Sequence, residues 1–289
     1  MVHNEEMQTA LDDLIRLLDL EAIEVNVFRG VSPQENRQRV FGGQVAGQAL
    51  VAATRTVDDN GRHVHSLHAY FLRPGDPTVP ILYLVDRIRD GRSFSTRRVV
   101  AIQHGQAIFN LQASFQVIEE GLNHNDPMPD VPAPESLPDF RTRMAPYKEV
   151  MGDWYDRPRP IDVRHVDGGP MERKSNPSSF QRVWLRADGT LPDNYVLHQC
   201  IVTYASDMTL LDTVALPHGI SWDDKGVQMA SLDHAMWFHR PFRADGWLLY
   251  DQHTPSTSNA RGLATGSIYT ADGQLAVTVV QEGLLRVHQ

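Results

Sequence analysis

Three polar side chains in the second half of the sequence occupy positions where the surrounding pattern is apolar. Asp207 lies at helical spacing from Cys200 on a largely apolar stripe, and burial there would raise the pKa of the carboxylate and make it a better base. Ser231 alternates with Met229 on one face of a predicted strand, and Gln281 ends an apolar series of period two. A carboxylate, a hydroxyl and an amide can together hold one water and take its proton. That is the minimum needed for hydrolysis without a covalent intermediate.

Each of the three residues also has an ordinary structural interpretation. Asp207 could lie at a helix edge and reach solvent, Ser231 could be a strand serine with satisfied hydrogen bonds, and Gln281 could close a strand in water. The chemical interpretation therefore requires that the fold bring the three side chains to one place.

Motifs of other reaction classes are missing from the sequence. It contains no G-x-S-x-G nucleophile elbow, no P-loop and no H-E-x-x-H zinc motif. His63, His65 and His68 could be written as a metal cluster, but no carboxylate stands at matching spacing, so we interpret them as strand and surface histidines.

Two alternative nucleophilic arrangements are also disfavoured. A relay from Ser231 to His234 would need both side chains on one side of the strand, and their positions have opposite parity. Cys200, the single cysteine, has no activating cation beside it in the sequence.

The elements that must position these residues can be predicted from apolar periodicity. Residues 7–20, 45–54 and 196–211 follow a helical pattern, and Asp207 belongs to the last of them. The remaining apolar or β-branched runs, separated by turn residues, indicate strands. They cover residues 67–72, 80–88, 94–102, 107–117, 157–166, 180–185, 227–238, 247–250, 260–269 and 275–285.

The two halves of the chain resemble each other. Phe71–Pro74 matches Phe238–Pro241, and the turn at Gly105 matches the turn at Gly273, at offsets of 167 and 168 positions. A proline-rich stretch at 119–138 separates the halves and is expected to be extended rather than helical. We predict an N-terminal unit at 1–118, a linker at 119–150 and a C-terminal unit at 151–289.

Each predicted unit has one long helix and four or five antiparallel strands. One helix can cover the sheet if the sheet curls around it, which is the hotdog arrangement. The competing possibility is an ordinary two-layer α+β sandwich.

Composition limits the partners and the location. The net charge of −9 argues against general nucleic-acid binding, and no apolar stretch is long enough for a membrane helix. The start of the chain is polar, its last residues lack a Ser-Lys-Leu signal, and one cysteine suits a reducing compartment. We expect a cytoplasmic protein that self-associates through exposed sheet edges and apolar outer faces into dimers or tetramers.

Several segments make the sequence similar to the acyl-CoA thioesterase II family. The most specific are Phe41–Leu50 and Asp233–Pro241, which reads Asp-His-Ala-Met-Trp-Phe-His-Arg-Pro, and the likeness extends from Leu11 to Arg286. The resemblance implies an α+β double hotdog, with two repeats each built from a long central helix wrapped by a curved antiparallel sheet. It also implies hydrolysis of fatty acyl-CoA to free fatty acid and CoA, with no metal and no cofactor.

The resemblance also implies roles for individual residues. The water-holding Asp, Thr and Gln of the family fall on Asp207, Ser231 and Gln281, so a serine replaces the threonine and the methyl group that fixes the rotamer is lost. Amides at residues 42–44, or in the matching region of the second half, are candidate donors to the oxyanion.

Two other functions remain open at this point. One is an enoyl-CoA hydratase on a related hotdog, which would use an Asp and a His and would leave Gln281 unexplained. The other is an acyl-CoA-binding protein without catalysis. The CoA phosphates need cations, and none of the arginines in the strand regions stands out as a binding residue. These arginines are Arg89, Arg92, Arg97, Arg98 and Arg261.

Overall fold

The computed structural model describes residues 2–33, 38–58, 61–173, 177–221 and 223–288. Met1 and Gln289, the outer bounds of the two predicted units, lie outside the described residues. Within this part of the chain, three helices have more than two turns: α1 (Val2–Leu18), α2 (Gly42–Thr54) and α7 (Tyr195–Ser206). Four short helices lie within residues 140–173, in and just after the segment that connects the two halves. They are α3 (Phe140–Met144), α4 (Lys148–Met151), α5 (Asp153–Asp156) and α6 (Pro170–Arg173).

The strands form one antiparallel sheet that runs through both halves. In the first half they are β1 (Glu21–Glu24), β2 (Val27–Gly30), β3 (Arg62–Phe71), β4 (Ile81–Asp90), β5 (Phe94–Gln103) and β6 (Gln106–Val117). In the second half they are β7 (Ile161–His165), β8 (Phe180–Ala187), β9 (Val227–Ser231), β10 (Asp233–Phe238), β11 (Leu248–Ser258), β12 (Arg261–Thr270) and β13 (Leu275–Val287). Among the described residues the strand order is β1-β2-β4-β5-β6-β3-β10-β13-β12-β11-β8-β7, with β9 paired to β13.

The two halves join in the middle of this sheet. Strand β3 pairs antiparallel with β10, and the register runs from Asp233 opposite Tyr70 to Trp237 opposite Ser66. Because each strand also pairs within its own half, the hydrogen-bond ladder continues without a break from one unit to the other. The halves therefore fold onto a shared sheet.

Helices α2 and α7 lie side by side and run in opposite directions. A side chain at Gly43 would overlap the backbone carbonyl oxygen of Tyr204, and one at Gly47 would lie 3.4 Å from that of Cys200. Both helices are almost entirely buried, and their apolar residues belong to one core that also includes the inner face of the sheet. The missing side chain of Gly43 allows this close approach, which places the N-terminus of α2 beside the C-terminus of α7.

Buried glutamines tie other segments to α2. The side chain of Gln48 donates to the carbonyl oxygens of Leu17 (2.6 Å) and Val31 (3.2 Å) and accepts from the Tyr83 hydroxyl (2.7 Å). Gln44 donates to the carbonyl oxygen of Val31 (3.1 Å). These bonds satisfy buried polar atoms and hold the end of α1 and residues 31–32 against α2.

Most of the predicted elements are present, but several details differ, among them the strand predicted at 247–250, which covers Leu248–Ser258. The predicted helix at 196–211 ends at Ser206, and the predicted strand at 227–238 is broken at Leu232 into β9 and β10. The strand predicted at 157–166 covers only Ile161–His165. The stretch at 119–138 contains no α-helix or strand, but its residues Pro134–Ser136 form a 3-10 turn rather than extended chain. Strands β1 and β2 were not predicted, because four-residue strands carry little periodic signal.

Candidate active site

Asp207 lies at the junction of the two long buried helices. It is the first residue after α7 and adopts the C-cap conformation, with φ −87° and ψ 0°. Its carboxylate points to the start of α2, where the backbone N–H of Gly43 donates to it. A side chain at Gly42 would lie 2.6 Å from the Asp207 Oδ2 atom and 2.8 Å from the Phe71 ring. The N-terminus of α2 thus supplies the carboxylate with oriented amides and a favourable helix dipole.

The structure brings the other two predicted residues to the same carboxylate. Gln281 Nε2 donates to Asp207 Oδ1 at 2.6 Å and to Ser231 Oγ at 2.9 Å. Ser231 Oγ donates to Asp207 Oδ1 at 3.3 Å. The three side chains therefore form one hydrogen-bonded group, although they are far apart in the sequence.

The break at Leu232 positions Ser231. Strand β9 pairs with the end of β13, with Ser231 opposite Gly283, whereas β10 pairs with an earlier part of β13 and with β3. At the break, the Leu232 amide donates to the Glu282 carbonyl oxygen and its own carbonyl oxygen accepts from the Phe71 amide, both at 2.9 Å. Gln281 lies in β13 close to this pairing switch, so its amide reaches Ser231.

Two opposing effects set the pKa of Asp207. Burial disfavours the charged carboxylate and raises its pKa from 3.8 to about 6. Hydrogen bonds from Gln281, Ser231 and the Gly43 amide, and the positive charge of Arg39, act in the opposite direction. The residue as a whole is partly exposed, but its carboxylate is buried. The result is a base that is mostly ionised at neutral pH and still accepts a proton readily.

Two charged residues near the site were not identified from the sequence. Arg39 donates to the Met229 carbonyl oxygen at 3.2 Å, and its charge acts on Asp207. Asp212 lies one turn beyond Asp207, and burial together with the charges of Asp207 and Asp223 raises its pKa to about 7. No sequence motif marks either residue, because their proximity to the site depends on how the chain folds after α7.

The residues rejected as alternatives have other neighbours. His234 Nε2 lies 2.8 Å from Ser206 Oγ, so the imidazole bonds to Ser206 rather than to Ser231. The parity reasoning that rejected this relay assumed a continuous strand, which the break at Leu232 contradicts. Cys200 is buried and its thiol pKa is raised to about 12, which keeps it protonated and unreactive at neutral pH.

The three histidines considered as metal ligands contact three different partners. His63 packs edge-on against Tyr195, His65 Nε2 lies 2.8 Å from Ser114 Oγ, and His68 packs edge-on against Trp237. In the described ranges, no three His, Cys, Asp or Glu side chains are grouped so that they could hold a metal ion. No described helix is long and apolar enough to span a membrane.

A groove borders the site. Its volume is about 690 Å³, and its inner end is lined by Phe41, Gln44, Tyr204 and Met208. Phe41 precedes the start of α2 and Met208 follows Asp207, so the groove reaches residues next to both helix ends, although Asp207, Ser231 and Gln281 do not themselves line it. Its outer walls are α1 and residues 154–161.

Comparison with known proteins matches both halves of the chain to one family. Residues 164–284 match the sequence model of acyl-CoA thioesterases, and residues 32–116 match that of the acyl-CoA thioesterase N-terminal domain. Human acyl-coenzyme A thioesterase 8 is 42% identical over 283 residues, covering 94% of this chain and 88% of the human protein.

Solved structures agree with the sequence comparison. An acyl-CoA thioesterase II from Mycobacterium marinum is 46% identical, covers 96% of this chain and 99% of its own, and superposes with a TM-score of 0.79. A hot dog fold protein from Alicyclobacillus acidocaldarius, 19% identical, covers 96% of this chain and 99% of its own with a TM-score of 0.78, a likeness of fold alone. The predicted fold class is confirmed. This chain belongs to the acyl-CoA thioesterase family, hydrolases of thioester bonds, and has the double hotdog fold.

Proposed function

We propose that Asp207, Ser231 and Gln281 perform the hydrolysis of fatty acyl-CoA to free fatty acid and CoA by activating a single water. The observation that carries this proposal is their mutual hydrogen bonding at the N-terminus of α2, at distances of 2.6, 2.9 and 3.3 Å. A base whose pKa is raised to about 6 suits proton removal near neutral pH.

The free hydrogen-bonding capacity of the trio supports the water. Gln281 Oε1 is buried and has no hydrogen-bond partner among the described residues. A buried amide oxygen without a partner is costly, and a water that donates to it would remove that cost. Gln281 and Ser231 both donate to Asp207 Oδ1, so neither of them occupies Oδ2. The same water could donate its second proton to this Oδ2 atom.

The reaction then proceeds in two steps. The water oxygen attacks the thioester carbon while its proton passes to Asp207, and a tetrahedral oxyanion forms. Collapse of that intermediate breaks the carbon–sulfur bond, and the CoA thiolate leaves and takes up the proton held by Asp207, which returns the base to its ionised form. Since a thiolate is a good leaving group, a strong general acid is not required.

The oxyanion needs hydrogen-bond donors, and the first turn of α2 provides them. The Gly43 amide already donates to Asp207. The Gly42 and Gln44 amides belong to the same turn and have no partner within the helix, because they precede its first complete turn. We therefore assign the oxyanion to these two amides.

Replacement of Asp207 tests the proposal. Asp207→Asn removes the base while retaining one oxygen that can accept from Gln281, so kcat for a medium-chain acyl-CoA should fall by at least about a hundredfold. The matched control is Asp212→Asn, which removes a neighbouring carboxyl group with a similarly raised pKa outside the trio. This control should retain most of its thiol release.

Free thiol release is the measurement, because it separates hydrolysis from hydration or binding. Unchanged turnover in folded Asp207→Asn protein would contradict the role of Asp207. An equal loss in both variants would show only that a buried negative charge matters, and would not support a base at Asp207.

The domain bounds and the cellular location remain proposals. We propose hotdog units at 1–118 and 151–289 joined by a linker at 119–150, which is supported by the scarcity of strands between Val117 and Ile161. We also propose a cytoplasmic location, supported by the single buried, unpaired cysteine. Imaging of the tagged protein in its native cell would test the location.

Self-association into dimers or tetramers is a further proposal. On the solvent side of β4, Leu82 and Leu84 are 40% and 38% exposed and lie opposite Ile102 and Val100 of β5. An apolar patch of this kind is typical of a contact between copies. Light scattering on the purified protein would decide, and a mass of one chain would contradict the proposal.

A further inference from the structure

The groove beside the active site has a charged outer rim. Arg16 lies on its α1 wall and Arg157 and Arg159 on the opposite wall, whereas Glu6 and Asp13 are the acidic residues of the rim. Arg16 is paired with Asp13. Two of the three rim arginines lie on the wall formed by residues 154–161, and Phe41, Tyr204 and Met208, which flank the start of α2 and Asp207, line the inner part of the groove.

A second cleft continues the groove on this cationic side. It has a volume of about 280 Å³ and shares Arg157, Arg159 and Ile161 with the groove. We call it the arginine cleft, because its lining carries five arginines against three aspartates. The five arginines are Arg141, Arg157, Arg159, Arg164 and Arg186. This local excess of positive charge stands out in a chain whose net charge is −9.

Aromatic rings and carbonyl oxygens hold several of these guanidinium groups in place. Arg159 lies 3.6 Å from the centre of the Phe140 ring and 4.1 Å from that of Trp154. Arg164 donates to the Pro134 carbonyl oxygen at 2.9 Å and to the Asp162 carboxylate at 3.1 and 3.2 Å, so its charge is paired within the cleft. A guanidinium fixed in this way loses little conformational entropy when it binds an anion.

Arg186 keeps hydrogen-bonding capacity for a ligand. It lies 4.3 Å from the centre of the Trp247 ring, and its nearest carboxylates, Asp162 and Asp188, are 3.8 and 3.9 Å away. These separations exceed a hydrogen bond, and the Arg186 Nε atom is buried without a hydrogen-bond partner in the described part of the chain. The Nη2 atom, which makes no hydrogen bond to either carboxylate, is the donor left for a phosphate oxygen.

We propose that the groove holds the pantetheine arm of CoA and that the arginine cleft holds its phosphate groups, with Arg157 and Arg159 at the junction. The inference rests on the catalytic site proposed above, because the thioester must lie at the inner end beside Asp207. Arginine is the side chain best suited to phosphate, through paired N–H donors. The bound acyl chain then extends from the thioester in another direction, because an apolar chain gains nothing from contact with a cationic wall.

The main variant for the test is Arg157→Ala, because Arg157 is exposed and lines both cavities. KM should be measured for an acyl-CoA and for the S-acyl-N-acetylcysteamine ester of the same acid, which keeps the thioester and lacks the phosphates. Arg157→Ala should raise KM for the acyl-CoA about tenfold and leave kcat within roughly twofold. KM for the truncated ester should not change.

Two further variants complete the design. Arg157→Lys keeps the positive charge and should recover part of the affinity for acyl-CoA. The control is Arg98→Ala, because Arg98 is a half-exposed arginine paired with Asp86 and lines neither cavity. Added salt should raise KM for acyl-CoA more in the unaltered protein than in Arg157→Ala.

Each other result overturns the proposal. An equal rise in KM for both esters would place Arg157 near the acyl chain or in a structural role. No change with either ester would place the CoA phosphates elsewhere. Both readouts use active enzyme, so a failure of the roles assigned to Asp207, Ser231 and Gln281 would be seen separately, in the Asp207→Asn experiment.

Discussion

At the scale of single residues, Asp207 combines burial with a set of donors that keep it ionisable. An isolated carboxylate at this depth would remain protonated at neutral pH, and one that accepted the same bonds in water would be a weak base. The Gln281, Ser231 and Gly43 donors bring the balance to a pKa of about 6. The environment therefore tunes the group to the pH at which it must work.

This balance predicts the acid limb of the pH profile. Because the reaction needs the ionised carboxylate, kcat/KM should fall tenfold per pH unit below about pH 6, where Asp207 becomes protonated. Stopped assays between pH 4.5 and about 8 would measure this. In the Asp212→Asn variant, kcat/KM should still fall below nearly the same pH. If this fall were absent in that variant, it would be assigned to Asp212 instead of Asp207.

Ser231 makes a second residue-scale prediction possible. Ser231→Ala removes the hydroxyl that accepts from Gln281 and donates to Asp207, so kcat should fall by about ten- to a hundredfold while the trio loses one member. Ser231→Thr keeps the hydroxyl and should stay active. Thiol-release kinetics on both variants test this, and full activity in Ser231→Ala would remove the serine from the mechanism.

The site could be predicted from the sequence only in part. Asp207, Ser231 and Gln281 stand out in the sequence because they are polar residues in apolar patterns and because they match positions of a known family. The structure brings them together. Arg39 and Asp212 were missed, because an exposed arginine and a turn aspartate look ordinary until the fold places them beside a buried charge.

At the scale of elements, the contact between α2 and α7 makes the site possible. Gly43 lets the α2 backbone approach the Tyr204 carbonyl oxygen, and this approach sets the distance from the α2 amides to Asp207. Local periodicity predicted both helices. It did not predict the end of α7 or the strand break at Leu232, because both are fixed by contacts between distant parts of the chain. The end of α7 is fixed by the hydrogen bond from the Gly43 amide to Asp207. The break is fixed by the backbone bonds of Leu232 with Glu282 and Phe71.

The helix contact predicts a strong effect of a single methyl group. Gly43→Ala would place a Cβ against the Tyr204 carbonyl oxygen, so the helices must separate, and the free energy of unfolding should fall by about 1–3 kcal/mol with a loss of activity. Gly121→Ala is the control, since a Cβ there meets nothing within 4 Å. Denaturant unfolding measures both variants, and equal stability would contradict the tight contact.

At the scale of the whole molecule, two similar halves share one sheet but differ at the equivalent helix ends. Asp207 follows α7, whereas the residue that follows α2 is Arg55, which donates to the Leu20 carbonyl oxygen and pairs with Asp19. The described first half thus carries a structural cation where the second half carries the proposed base. Because that base meets α2 of the first half, the site needs both halves in their joined arrangement.

The buried charge at this junction should also appear in the stability of the molecule. The pKa of Asp207 is raised in the folded protein, so the unfolded chain loses this proton at lower pH, near 3.8. Folding is therefore penalised progressively as the pH rises from about 4 to about 6, and above that range the penalty is roughly 2–3 kcal/mol for this one group. Below about pH 4 the carboxyl is neutral in both states and the penalty is absent.

Asp207→Asn should remove this penalty. The variant should be more stable than the unaltered protein at pH 8, and the difference should shrink as the pH falls through 6 and vanish or reverse near pH 4, where the amide accepts fewer donors than the carboxyl group. Thermal unfolding of both proteins across this range measures the effect. A pH-independent difference would mean that Asp207 is not held as a buried ionised base, which would undermine its proposed role in catalysis.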